Sequence, residues 1–348
     1  MARVCAVLVA SLLAPCAGAV HAAPPAAAVV ERQAPDRLTI RWTSSDPVDV
    51  LAADRPGAGI AQAHRLVRQD RDGRFETAVP GDARPYFLLR NSRTGEVTRV
   101  AERMLPLEAG SNFRDIGGYP AAGGRLVRWG MIYRSGGTPL LTAGDVARIR
   151  SLHLATMVDL RSDEERVLAP TRIDGVAYVA VGYSFAGLDA GAGMEATYRR
   201  LPTMMAPQLR QIFARLLQGD QPLAYNCSAG QDRTGFVTAM VLGALGTPRE
   251  TILADYHLST RYRRPAFEMP HLDLTRYAGN PVAEMFGRFQ DDPAAREPRP
   301  LKTADGRAYL EFALAEIDRQ WGSTDGYLRR EIGLTPADIA RLRARYTE

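Results

Sequence analysis

The chain has 348 residues, of which 46% are hydrophobic and 24% charged, and its formal net charge is +5. This composition is typical of a globular protein and excludes a disordered chain or a membrane protein with several spans. The arginines are spread along the chain rather than clustered, so the charge does not indicate binding to nucleic acid.

The first residues have the pattern of a secretory signal peptide. Arg3 precedes an apolar run over residues 4–14, and small residues follow as far as Ala22. A basic start, an apolar stretch and an A-x-A-like end direct export, and the run is shorter than the roughly 20 apolar residues of a bilayer span. We predict a signal peptide over residues 1–22, a periplasmic or secreted location, and no transmembrane span.

The positions of the three cysteines are consistent with the predicted export. Cys5 and Cys16 fall in the predicted leader, so the mature chain keeps Cys227 alone and forms no internal disulfide. A single thiol in an oxidising compartment is a liability unless it is buried and inert, or reactive and needed. The histidines lack the spacing of metal ligands, and we predict neither a metal nor a cofactor.

The chain after the leader divides into two predicted domains. Residues 23–35 are rich in Ala and Pro and are predicted to be a linker. Residues 36–105 contain short alternating segments separated by turn signals, which predict a small β-sandwich and resemble a fibronectin type III-like module. The expected strands lie over residues 38–42, 48–51, 65–67, 75–79, 86–89 and 96–100.

Residues 106–348 alternate strands with helices, which predicts an α/β fold with a sheet flanked by helices. The expected strands are 155–160, 176–181 and 222–226, and the expected helices are 142–152, 162 onwards, 234–245, 247 onwards, 308–321 and 336–346. Two insertions, 182–207 and 261–300, interrupt this order. Long insertions of this kind are surface decoration or active-site lids, and the sequence leaves both open.

The candidate catalytic segment follows the strand predicted at 222–226. Cys227 ends that strand, and Arg233 opens the next helix six residues later. The loop N–H groups and the helix N-terminus would form a nest for a tetrahedral anion, and the same partial charge favours thiolate over thiol. The planar guanidinium of Arg233 matches two phosphate oxygens.

The neighbouring residues fit an anion-binding loop. Ser228, Ala229 and Gly230 are small and allow the backbone to approach a ligand. The residues predicted to bind substrate are Ser228, Ala229, Gly230, Gln231 and Thr234, and the Thr234 hydroxyl is expected to donate to the sulfur. An ordinary buried cysteine is the alternative, but a strand, small loop residues, an Arg-Thr-Gly run and an apolar helix together favour catalysis.

The loop C-S-A-G-Q-D-R-T-G over residues 227–235 resembles the signature of cysteine-dependent tyrosine and dual-specificity phosphatases. It resembles more closely the bacterial tyrosine phosphatase family with an H-C-x-x-G-K-D-R-T-G loop, which includes secreted mycobacterial and listerial enzymes. Further landmarks are N-F-R-D-I-G-G at 112–118, Y-R-S at 133–135, V-D-L-R-S at 158–162 and G-S-T-D-G-Y-L at 322–328. The resemblance covers roughly residues 107–345.

The resemblance implies a metal-free, two-step displacement in which Cys227 attacks phosphorus and Arg233 stabilises the charge. It also implies an acid–base role for Asp232. Other tyrosine phosphatases use an aspartate on a separate loop, and Asp189 is the alternative here. Four further residues are expected to form buried ion pairs around the loop: Arg114, Asp115, Asp159 and Arg161.

Two positions depart from the family pattern. Asn226 stands where the family has histidine, and Gln231 stands where it has lysine. That lysine is associated with phosphoinositide dephosphorylation, so its loss favours a phosphotyrosine protein or another phosphomonoester as substrate, unless residues 261–264 restore the charge. A phosphoinositide phosphatase and a catalytically dead phosphate-binding module are the alternatives.

Overall fold

The computed structural model describes residues 26–80, 83–184, 193–288 and 290–348. Its N-terminal part contains two antiparallel sheets, one ordered β1-β2-β5 and the other β4-β3-β6-β7. The strands are β1 (Ala26–Ala34), β2 (Arg37–Thr43), β3 (Val48–Ala53), β4 (His64–Asp70), β5 (Arg74–Ala78), β6 (Tyr86–Asn91) and β7 (Val97–Ala101).

The two sheets share one apolar core. Leu38 and Ile40 of β2 face Val50 of β3 and Phe87 and Leu89 of β6, and all five are fully buried. Alternation along each strand places these residues on the inner faces. The predicted small β-sandwich and its strands are therefore confirmed, while the boundary predicted at residues 105–106 stays a prediction.

The linker predicted over residues 23–35 is wrong where the structure describes it. Residues 26–34 form β1, which pairs with β2 from Ala26 opposite Thr43 to Ala34 opposite Arg37. Val30 enters the sandwich core. The Ala- and Pro-rich composition concealed this strand, because its stability comes from backbone pairing with β2 rather than from its own side chains.

The second domain has a five-stranded sheet in the order β11-β10-β12-β9-β8. Four strands are parallel, and β8 pairs antiparallel with β9 at the edge. The strands are β8 (Arg114–Asp115), β9 (Ile132–Ser135), β10 (Thr156–Asp159), β11 (Ala177–Ala180) and β12 (Leu223–Asn226). The predicted α/β sheet is confirmed, and β12 lies at its centre.

Helices cover this sheet and provide most of its core. They are α1 (Ala143–Arg150), α2 (Asp163–Leu168), α3 (Gly193–Met204), α4 (Ala206–Gln218), α5 (Asp232–Leu245), α6 (Arg249–Tyr262), α7 (Pro281–Gly287), α8 (Tyr309–Trp321), α9 (Thr324–Arg330) and α10 (Pro336–Tyr346). Helix α5 is apolar and buried on nearly every side, as expected of a central helix. It ends at Gly246, whose φ of 83° is left-handed.

Local signals in the sequence place several helix starts correctly. Thr142 and Ser162 cap α1 and α2 in capping boxes. The cap expected at Thr247 is wrong: α6 is preceded by Pro248 at the N-cap, and no side chain caps it. No helix in the four described ranges is long and apolar enough to cross a membrane.

Both predicted insertions contain helices that pack on the domain. In the first, α3 places Tyr198 and Leu201 in the main core. In the second, α7 packs against α2 through a small apolar cluster. This cluster comprises Leu168, Leu272, Val282 and Ala283. The described parts of both insertions are thus elements of the folded domain.

The two domains also contact one another. Trp129 of the second domain enters the sandwich core and donates from Nε1 to the Arg99 carbonyl at 3.1 Å. Arg84, just before β6, forms a 2.8 Å ion pair with the fully buried Asp115 of β8. The sandwich is therefore anchored to the edge of the second sheet.

Candidate active site

The loop with the C-x5-R pattern begins at the carboxyl end of the central strand β12. Cys227 is 1% exposed and lies at the start of this loop. Gly230 has a φ of +67°, and a Cβ atom there would lie 2.4 Å from the Gly136 nitrogen. Only glycine fits this position, because both the backbone conformation and the space exclude a side chain.

The carbonyl groups of the loop are held from outside. Gly137 N–H donates to the Ser228 carbonyl at 2.8 Å. Asn112 Nδ2 donates to the Gly230 carbonyl at 2.8 Å and to the Ala229 carbonyl at 3.3 Å. Asn112 itself has a φ of 57°, a conformation that asparagine tolerates better than most residues.

The backbone N–H groups of the loop are not used in this way. Among the hydrogen bonds of the described residues, none is donated by the backbone of residues 228–231. Helix α5 begins immediately afterwards at Asp232, so its first N–H groups also lack helical partners. Held carbonyls, unpaired amides and a helix N-terminus together make the anion nest that the sequence predicts.

Arg233 is anchored by a carboxylate of helix α2. Its Nη1 and Nη2 donate to Glu165 at 2.5 and 2.6 Å, and Nη1 also donates to the Tyr183 hydroxyl at 2.6 Å. The side chains of Arg233 and Glu165 are 12% and 2% exposed. The terminal edge of the guanidinium is thus fixed, while its other edge, Nε with Nη2, is the geometry that binds two oxygens of a phosphate.

Glu165 joins three parts of the site. It accepts from the Ser228 hydroxyl at 2.6 Å and from the Ser162 N–H at 2.8 Å in addition to Arg233. Burial alone would raise the pKa of Glu165, but Arg233 and these hydrogen bonds outweigh it and lower the pKa to about 2. Glu165 is therefore ionised at neutral pH and holds the loop and the arginine together.

Asp232 is held by a pair of tyrosines. The Tyr198 hydroxyl of α3 donates to Asp232 Oδ1 at 2.5 Å, and the Tyr198 and Tyr256 hydroxyls lie 2.6 Å apart. Burial and the nearby Asp232 carboxylate raise the pKa of Tyr198 well above its usual value. Tyr198 therefore stays protonated and acts as a hydrogen-bond donor to the carboxylate.

A buried ion-pair cluster between β8, β9 and α6 supports the loop. Arg114 and Arg134, both fully buried, contact Asp255 of α6 at 3.1 and 2.5 Å. Arg134 Nη2 also donates to the Gly230 carbonyl at 2.8 Å. Burial raises the pKa of Asp255, but the two arginines outweigh it and hold the pKa well below the usual range.

The four residues expected to form buried ion pairs do so. Arg161 and Asp159 pair with each other at 2.6 Å with no exposed side-chain surface. Arg114 pairs with Asp255, and Asp115 pairs with Arg84 across the domain contact. The sequence identified these residues as scaffold but did not identify the partners of Arg114 and Asp115.

Three other predicted site residues are placed as follows. Asn226 makes one long contact, from Nδ2 to the Cys227 carbonyl at 3.4 Å. Thr234 is fully buried, and its hydroxyl has no hydrogen-bond partner among the described residues, so the expected bond to the Cys227 sulfur is not formed. Gln231 Oε1 accepts from Arg263 Nη1 at 3.1 Å. Asp189 lies outside the described residues.

The structure thus brings Cys227, Asp232 and Arg233 together with the predicted binding residues at one strand end, and their catalytic roles stay predictions. Sequence reasoning missed Glu165, Tyr183 and Tyr198, and it named Arg263 only as part of the stretch 261–264. Of the three missed residues, only Glu165 had a usable signal, since it follows the V-D-L-R-S landmark and completes a capping box. No cluster of potential metal ligands occurs among the residues that the structure describes.

The arrangement places a buried cysteine and an arginine at one loop of an α/β domain, as the resemblance to tyrosine phosphatases implies, and comparisons with known proteins show the family. A model of the family described as "Tyrosine phosphatase family" matches residues 105–348. This chain therefore belongs to the tyrosine phosphatase family.

Two curated relatives match about two thirds or more of this chain. A protein of Cupriavidus necator named a tyrosine-protein phosphatase is 35% identical over 252 residues, which cover 68% of this chain and 85% of that protein. The triple specificity protein phosphatase PtpB of Mycobacterium tuberculosis is 30% identical over 290 residues, covering 70% and 98%. A crystal structure of P. aeruginosa TpbA with pTyr aligns at 21% identity and a TM-score of 0.25, covering 38% of this chain and 71% of that one.

Proposed function

We propose that this protein is an exported phosphatase that hydrolyses phosphotyrosine through a phosphocysteine intermediate. The observation that supports it best is the loop geometry: outward carbonyls held by Gly137, Asn112 and Arg134, with the amides of residues 228–231 left for an anion. A tetrahedral phosphate dianion matches this nest in shape and charge.

In the first step, the Cys227 thiolate attacks phosphorus. The S–P bond forms as the bond from phosphorus to the phenolic oxygen breaks, and Asp232 donates its proton to that oxygen. The loop amides and the Nε–Nη2 edge of Arg233 stabilise the charge on the equatorial oxygens. Tyrosine leaves, and the phosphate remains bound to sulfur.

In the second step, water attacks the phosphocysteine. Asp232, now ionised, accepts a proton from the water as the new P–O bond forms and the P–S bond breaks. Inorganic phosphate leaves and the thiolate is restored. Asp232 suits both steps because Tyr198 fixes the carboxylate beside the loop.

The relative named a triple specificity protein phosphatase makes substrate class a question for this chain as well. The neutral Gln231 at the loop favours an ester with one phosphate, since a phosphoinositide with several phosphates calls for further cations. We propose phosphotyrosine as the preferred substrate.

The nucleophile is tested with Cys227→Ser. We expect hydrolysis of a phosphotyrosine peptide to fall below detection, while phosphate or vanadate still binds, because the nest and Arg233 remain. The isosteric change keeps the fold, and calorimetry of vanadate binding confirms an intact loop. Undiminished hydrolysis by this variant would falsify the phosphocysteine mechanism.

Export rests on the pattern of residues 1–22 and is tested in a secreting host. Cleavage after Ala22 removes Cys5 and Cys16, so the mature protein is expected to titrate as one thiol, that of Cys227. Mass spectrometry of the protein from the periplasm or medium measures the N-terminus directly. An intact N-terminus in that fraction contradicts cleavage.

A further inference from the structure

The rim of the loop at Gln231 is occupied by an arginine that comes from the second insertion. Arg263, the residue that ends α6, donates from Nη1 to Gln231 Oε1 at 3.1 Å. Burial lowers the pKa of Arg263, but Glu268 outweighs it and raises the pKa, with smaller contributions from Asp232 and Cys227. A cation is therefore present at the rim although the loop itself carries no lysine.

The charge of Arg263 is neutralised by an ion pair with Glu268. Glu268 accepts from Arg263 Nε and Nη2, each at 2.8 Å, and the two side chains are 20% and 6% exposed. The Ser111 hydroxyl donates to the same carboxylate at 2.8 Å and accepts from the Arg264 N–H. Glu268 is thus fixed in place, and Arg263 has little freedom to leave it.

The other arginines of this segment do not restore the charge. The Arg264 guanidinium donates hydrogen bonds to the carbonyls of Leu107 and Glu108 and lies over the Phe267 ring. Arg261 is largely exposed and lies 4.0 Å from Glu31 of the sandwich. Of residues 261–264, the structure directs only the Arg263 guanidinium toward the loop.

Four arginines and four acids at the loop and its supports balance in number. Arg114 and Arg134 share Asp255, Arg233 pairs with Glu165, and Arg263 pairs with Glu268. The fourth acid, Asp232, accepts from Tyr198. The loop amides therefore provide the attraction for the scissile phosphate, with no surplus cation beside it. A second anionic group on the substrate would find only paired arginines and the Asp232 carboxylate.

We propose that Glu268 masks Arg263 and thereby makes the rim select phosphate esters that carry no second anionic group beside the scissile phosphate. This proposal rests on the proposed phosphatase function and adds a specificity-determining residue to it. The ion pair also lines a cleft of about 400 Å³ with Met269, Leu272 and Phe286.

The experiment compares kcat/KM for two phosphotyrosine peptides that differ only in having alanines or glutamates on both sides of the phosphotyrosine. A soluble short-chain phosphatidylinositol bisphosphate is the third substrate. The wild-type enzyme is expected to prefer the alanine peptide. Glu268→Gln unmasks Arg263. We expect it to raise kcat/KM for the anionic substrates relative to the alanine peptide about tenfold, the effect of one charge-assisted contact.

Two further variants secure the result. Gln231→Lys adds a cation at the rim without touching Glu268 and is expected to raise the same ratio, which decides the matter if Glu268→Gln fails to fold. Arg263→Gln combined with Glu268→Gln is expected to return the ratio to the wild-type value. Glu102→Gln, which breaks the matched Arg32–Glu102 pair of the sandwich, is expected to leave it unchanged.

The proposal is overturned if Glu268→Gln folds and keeps the wild-type ratio of kcat/KM for the anionic and alanine substrates. If Glu268→Gln does not fold, the proposal is overturned when Gln231→Lys leaves that ratio unchanged. It is also overturned if the wild-type enzyme prefers the glutamate peptide or the lipid. Failure of the phosphatase function itself has a different readout, since it would show as hydrolysis of the alanine peptide by Cys227→Ser.

Discussion

The sandwich and the phosphatase domain each contain a buried arginine–glutamate pair, and the two pairs differ in what they hold. In the sandwich, Glu102 accepts from Arg32 Nε and Nη2 at 3.0 and 2.9 Å, joining β1 to the end of β7. In the phosphatase domain, Glu165 accepts from Arg233 Nη1 and Nη2 at 2.5 and 2.6 Å and also accepts from Ser228 and Ser162.

The exposures of the two pairs are close, at 12% and 6% for Arg32 and Glu102 and 12% and 2% for Arg233 and Glu165. The two pairs therefore differ in the parts of the molecule that they connect and not in how deeply they are buried. Arg32 and Glu102 join two strands, whereas Glu165 fixes the Arg233 guanidinium and the loop that we propose binds phosphate. The same interaction contributes to stability in one region and to preorganisation in the other.

Substituting the two glutamates separates these roles and has the largest expected effect. Glu165→Gln leaves Arg233 buried without a matching charge, so we expect a loss of about 3 kcal/mol or more in unfolding free energy. We also expect kcat/KM to fall at least about a hundredfold, because the arginine and Ser228 lose their alignment. Urea denaturation and steady-state kinetics with a phosphotyrosine peptide measure the two effects.

Glu102→Gln is the matched control. We expect it to lose about 1–3 kcal/mol, since Arg32 retains the carbonyl of Ala83 as an acceptor, and to keep kcat/KM within about twofold. Equal losses of activity in the two variants would show that Glu165 acts only through stability. The two pairs would then have the same role, which is to stabilise the fold.

The low pKa of Glu165 adds a pH dependence with a definite sign. Because the folded pKa is about 2 and the ordinary value is 4.5, the ionised form stabilises the folded state fully above about pH 4.5. This contribution is lost as the pH falls from about 4.5 to about 2. We expect the difference in unfolding free energy between wild type and Glu165→Gln to shrink over that window, and a constant difference would contradict the assignment.

The sequence predicts different parts of this site unequally well. Residues 226–235 lie on one strand, loop and helix, so their grouping follows from local pattern alone. Asn112, Arg134 and Glu165 reach the loop from other strand ends, which only the strand order β11-β10-β12-β9-β8 brings together. The family landmarks in the sequence include these residues but do not reveal what they contact.

The insertions were the least predictable region for a physical reason. Their composition suggests irregular structure, yet Tyr198 is fully buried and Arg263 reaches Gln231. Both contacts join residues far apart in the chain, and no periodicity or cap encodes them. The linker prediction failed over residues 26–34 in the same way, because a strand stabilised by its neighbour has no signal of its own.

The smallest expected effect concerns Tyr198, which positions Asp232 from α3. The groups facing Asp232 include Tyr198, Tyr256 and Arg263. Removing the donor with Tyr198→Phe releases the Asp232 carboxylate from its position beside the loop, so kcat is expected to fall about fivefold, the effect of one hydrogen bond. Phenyl phosphate should slow more than p-nitrophenyl phosphate, because the poorer leaving group depends more on the general acid.

Tyr309→Phe is the control for this prediction, since the Tyr309 ring stacks on Tyr198 with centroids 5.8 Å apart but its hydroxyl is not bonded to Asp232. A loss of kcat shared by both variants would indicate a general loosening of α3 against α8 rather than the loss of one hydrogen bond. A loss confined to Tyr198→Phe, with a stronger dependence on the leaving group, assigns the proton transfer to Asp232. Unchanged kinetics in Tyr198→Phe would instead direct the search for the general acid to Asp189.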